Sequence, residues 1–93
     1  MEKQKYYRYT LEEINGEQEY TYDYLIEAES LEEAESIANT HASTFYSDES
    51  EEVCDGSYVF FGGAISVEIM SVAEITKEDF IRNMLQRATL RAS

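Results

Sequence analysis

Two stretches of the chain alternate apolar and polar side chains with a period of two, and two others repeat them near every 3.6 residues, the marks of strands and helices. The first alternating stretch, residues 5–28, carries Asn15-Gly16 near its middle. Both residues accept the positive φ of a type I′ turn, so the stretch predicts a β-hairpin pivoting there. That register sets Tyr7 against Tyr24, Tyr9 against Tyr22 and Leu11 against Tyr20 on one face, with Arg8 against Asp23 and Thr10 against Thr21 on the other. It also opposes Glu12 to Glu19, a like-charge pair that costs stability.

A helix is predicted next. Ser30-Leu31-Glu32-Glu33 is a capping box, and Leu31, Ala34, Ile37, Ala38, His41, Ala42 and Phe45 recur at helical spacing, leaving Glu32, Glu35, Ser36 and Asn39 to water. Residues 48–56 read as a charged loop. A second hairpin follows about Gly62-Gly63, with Tyr58, Phe60, Ile65, Val67 and Ile69 on one face and Val59, Phe61, Ser66 and Glu68 on the other. Thr76 then caps a last helix whose buried stripe is Phe80, Ile81, Met84, Leu85 and Ala88. The expected fold is α+β, ββαββα: two hairpins in one antiparallel sheet with two packed helices, on one face or on opposite faces. At 93 residues the chain makes a single domain, residues 1–93.

Charge changes this picture more than any motif. The formal balance is −13, and between Tyr9 and Thr76 seventeen Asp and Glu occur without a Lys or Arg. The basic residues, Lys3, Lys5, Arg8, Lys77, Arg82, Arg87 and Arg91, sit toward the ends. Such a surface repels nucleic acid, whose binding requires cations that release counterions, and it attracts a cationic protein. The acids gather in three places. Glu27, Glu29, Glu32, Glu33 and Glu35 mark the entry to the first helix; Asp48, Glu49, Glu51, Glu52 and Asp55 fill the charged loop; Glu12, Glu17 and Glu19 mark the tip of the first hairpin. The first two groups are the candidate partner-binding residues. The bland alternative is an acidic coat that serves solubility.

Catalytic chemistry has little to stand on. The single imidazole, His41, falls on an apolar stripe, where packing is its usual role, and Cys54 lies among Glu51, Glu52 and Asp55, which disfavour a thiolate. No phosphate-binding glycine loop occurs, and the acidic loop lacks the ligand order of an EF-hand, so no metal and no cofactor are expected. One cysteine forms no internal disulfide, and no stretch has the form of a signal peptide or a membrane span, so the expected location is the cytoplasm.

In size, charge and α+β layout the chain resembles the small acidic inhibitor proteins of phages and mobile elements, the DNA mimics and anti-CRISPR proteins. The likeness rests on no motif and transfers no residue. It implies a non-enzymatic inhibitor that blocks a basic, nucleic-acid-binding host protein such as a CRISPR effector, in the groove meant for DNA or guide RNA. Two other readings compete: an oligomerising domain that pairs with a second copy through Tyr6, Leu25, Val59 and Phe61, and a binder of a small ligand such as a nucleotide in a tyrosine-lined pocket.

Overall fold

The computed structural model describes residues 4–84 and 89–91. Strands β1 (Lys5–Asn15) and β2 (Gln18–Ala28) form the expected first hairpin, but its register is displaced by two residues. Gly16-Glu17 make the turn, with Gly16 alone at positive φ (+66°), so the glycine takes the first central position and Asn15 closes the strand. Tyr7 therefore faces Ile26, Tyr9 faces Tyr24 and Leu11 faces Tyr22. An even displacement keeps every side chain on its expected face, because the strand repeat is two. It also removes the Glu12–Glu19 conflict: Glu12 faces Thr21, while Thr10 Oγ1 donates to Asp23 Oδ1 at 2.7 Å.

Helix α1 (Leu31–Ser43) starts where the capping box predicts. Ser30 Oγ accepts from the Glu33 amide at 3.1 Å, whereas the Glu33 carboxylate reaches one residue further back and accepts from the Glu29 amide at 2.9 Å. Ala34, Ala38 and Ala42 form its buried line, small enough to bring the helix close to the sheet; Leu31, expected on that stripe, is exposed.

The acidic segment corrects the expected layout. Residues Glu51–Cys54 form a strand, β3, paired antiparallel with β4 (Ser57–Phe60) across a tight turn at Asp55-Gly56. A short 3-10 turn, Phe61–Gly63, leads into β5 (Ile65–Ile75), which pairs with β4 on one side and with β1 from Tyr6 to Asn15 on the other. Tyr58, Phe60, Ile65, Val67 and Ile69 share the inner face as expected, while Phe61 falls in the turn and is exposed. Helix α2 (Lys77–Met84) follows, capped by Thr76 Oγ1 on the Asp79 amide at 3.1 Å. A last short strand, β6 (Thr89–Arg91), runs parallel to β2. The domain is α+β, but the sheet is not two hairpins. Five antiparallel strands are extended by one parallel edge, in the order β3-β4-β5-β1-β2-β6.

The two helices lie on opposite faces. On one, Tyr7, Tyr9, Leu11, Ile26, Tyr58, Phe60 and Val67 pack under the α1 alanines as the main core. On the other, Leu25 is fully buried and Tyr6 meets Phe80 of α2 at 4.5 Å between ring centroids. Among the described side chains of that helix Phe80 is buried, whereas Ile81, expected beside it, is exposed. Leu85, Ala88, Arg87 and Lys3 lie outside the described residues, as do the side chains of Met84 and Arg91.

Candidate functional site

The edge of α1 that looks toward β3 and β4 carries Glu35 and, one helical turn on, Asn39. Both ends of the Asn39 amide are engaged. Its Oδ1 accepts from the Tyr58 hydroxyl at 2.7 Å and its Nδ2 donates to the Glu35 carbonyl at 2.8 Å, which ties the helix to β4. Burial raises the pKa of the Tyr58 phenol, and the nearby carboxylates of Glu52 and Asp55 raise it further, so that hydroxyl remains a donor.

Opposite the helix stands the β3–β4 turn. Gly56 holds it with φ +79°, a conformation costly to any L side chain, and its carbonyl accepts from the Ile69 amide at 2.8 Å. Beneath both walls β5 is irregular. Thr10 of β1 faces Ser71, but the next residue, Leu11, faces Ile69, leaving Met70 as the extra residue of a β-bulge. The bulge pushes Met70 outward; it is 53% exposed.

Helix, turn and bulge enclose a groove of about 430 Å³ lined by Glu35, Asn39, Asp55, Gly56 and, from β5, residues 69–72. Its rim is anionic on two sides, with Glu35 from the helix and Asp55 from the turn, and Ile69, Met70 and Val72 supply hydrocarbon below. Two carboxylates beside the hydrocarbon of Ile69, Met70 and Val72 suit a long cationic side chain, whose stem packs on that hydrocarbon while its head meets the acids. Among the described residues no group of three or more His, Cys, Asp or Glu could hold a metal ion. His41 is packed against the rings of Tyr24 and Phe45, and its Nδ1 lies 3.0 Å from the Tyr9 hydroxyl.

Comparison with family models, with curated proteins and with solved structures found no match. The site therefore stands on its own geometry.

That geometry divides the acidic residues singled out in the sequence. Glu35 and Asp55, twenty residues apart in the chain, meet at the groove, and Glu52 is beside it on the Tyr58 face of β3. Glu51 pairs with Val59 and projects to the other face; Asp48 and Glu49 lie exposed in the approach to β3, which is pinned by Ser50 Oγ donating to the Ser43 carbonyl at 2.7 Å. Glu29 and Glu32 are exposed at the start of α1, where Glu33 serves as a cap. Glu27 is half-buried on the opposite face, paired with Tyr6 of β1.

The two competing readings lose parts of their surface. Tyr6 packs against Phe80 of α2 and Leu25 is buried, while Val59 is half-buried and Phe61 exposed, so only part of the face proposed for a second copy is covered. Tyr9, Tyr22 and Tyr24 stack within the core region under α1, and no tyrosine lines this groove. Sequence reasoning missed the bulge at Met70 and the role of Asn39, since both depend on partners far along the chain. Asp55-Gly56 was a usable signal: a turn dipeptide inside the acidic segment marks a strand pair.

Proposed function

We propose that this protein is a binding protein, not an enzyme, that blocks a basic, nucleic-acid-binding host protein in the manner of DNA mimics and anti-CRISPR proteins. The observation that carries the reading is that Glu35 and Asp55, from two separate acidic stretches, line one groove together with Ile69, Met70 and Val72. A partner's arginine or lysine would seat there. The remaining acids of the cation-free span supply the long-range field that draws the partner in and competes with the phosphates it normally holds.

The experiment is displacement. Basic nucleases, repressors and CRISPR effectors carrying labelled DNA or guide RNA are titrated with the pure protein at low salt, and release of the nucleic acid is followed by anisotropy. At least one partner is expected to release its nucleic acid, the effect fading with added salt, and the Glu35→Lys, Asp55→Lys double variant should lose about tenfold or more in potency. Failure to displace from any member of the panel, or displacement untouched by the double reversal, contradicts the reading.

A further inference from the structure

The sheet ends on one side at β3, which pairs with β4 along one edge and has no strand beyond it among the described residues. All four of its residues are exposed, Val53 to 61%. An edge strand presents unpaired backbone donors and acceptors and serves as a template for another extended segment. Its charge says which segment. Glu51 and Glu52 lie on the strand, Asp48 and Glu49 precede it, Asp55 follows it, and no Lys or Arg occurs between Tyr9 and Thr76. A second copy of the same edge would lay one cation-free acidic segment along another, which like-charge repulsion disfavours, whereas a strand bearing Lys or Arg at alternate positions would set cations against Glu51 on one face or Glu52 on the other.

We propose that the outer edge of β3 captures an extended basic segment of the partner protein as an added strand. This rests on the reading of the protein as a binder of a basic partner and adds the mode of capture: main-chain hydrogen bonds to β3 hold the segment, and the carboxylates flanking the edge select its charge. Because Glu52 and the Asp55-Gly56 turn border the groove, a residue near the end of the added strand can place its cationic side chain between Asp55 and Glu35.

Two labelled probes separate strand addition from simple attraction. One is a short peptide alternating Lys and Thr; the other is a peptoid of the same length and charge, whose side chains hang from nitrogen so that its backbone has no N–H to donate. Binding to the full chain is read by anisotropy at low salt, and amide hydrogen exchange is read across Glu51–Cys54. The peptide is expected to bind about tenfold or more tighter than the peptoid and to slow exchange at β3. Equal binding with unchanged exchange overturns strand addition while leaving the acidic surface as an attractor. If neither probe binds, both this inference and the reading beneath it fail.

Discussion

Glu13 has no exposed surface, although every other acid among the described residues is at least partly exposed. It lies on β1 in step with Tyr7, Tyr9 and Leu11, so the alternation that buries the rings buries the carboxylate too. Two phenols answer it: Tyr22 donates to Oε1 at 2.7 Å and Tyr46, from beyond α1, donates to Oε2. The Glu13 hydrogen bond is the first cause that raises both phenol pKa values, ahead of burial, with Tyr46 pushed up to about 12. A buried acceptor stripped of one donor is costly, so Tyr22→Phe should lower the unfolding free energy by about 1.5–3 kcal/mol, with Glu13→Gln coupled to it non-additively in a double-mutant cycle by denaturant unfolding. His41 gives a second prediction. Burial lowers its pKa, so protons bind the unfolded chain more tightly than the folded one. Its contribution is present above the unfolded value near 6.5 and is lost as pH falls toward the lower folded value. Melting curves of the protein and of His41→Gln should therefore diverge between neutral and mildly acidic pH, the parent losing more stability than the variant. The position of Glu13 was legible from its parity on β1, and its partners were not: Tyr46 is thirty-three residues away, a contact that only the fold creates.

At the level of elements, the chain announces what its local chemistry determines. The cap at Ser30, the alanine line of α1, the inner face of β4 and β5 and the cap at Thr76 follow from short-range rules and are present. The register of the first hairpin turned on whether Asn15-Gly16 or Gly16-Glu17 forms the turn. Glycine at the first central position suits a II′-type turn as well as Asn-Gly suits I′, so the pattern alone could not separate two registers that bury the same faces. Strand β3 was hidden for a different reason: its composition is that of a loop, and it is a strand because β4 offers it an edge. A like-charge pair does occur on the sheet, though not the expected one. Glu12 faces Glu68 on β5. Glu68→Lys converts that pair to an attractive one and should raise stability by about 0.2–1 kcal/mol in chemical denaturation. Glu78→Lys makes the same change in net charge in the first turn of α2, where acids favour the helix dipole, and should lower stability by about 0.3–1 kcal/mol. Opposite signs from equal charge changes would place the effect in the local pairing.

The molecule measures 44 × 25 × 18 Å and carries a formal charge of −13, with a helix on each face of its sheet. No helix among the described residues is long and apolar enough to cross a membrane. The acidic character was plain in the sequence; that Glu35 and Asp55 line one groove was not, since that follows only when α1 lies along the sheet beside the β3–β4 turn. The central claim is that this groove is a cation site within a general anionic field. The most direct measurement is the affinity for a labelled oligoarginine peptide at low salt, compared between two variants that each remove two charges: Glu35→Gln, Asp55→Asn at the groove, and Glu17→Gln, Glu19→Gln at the far hairpin tip. The groove pair is expected to lose about tenfold in affinity and the tip pair far less. Equal losses from the two pairs would show that the charge acts diffusely, with no site at the groove.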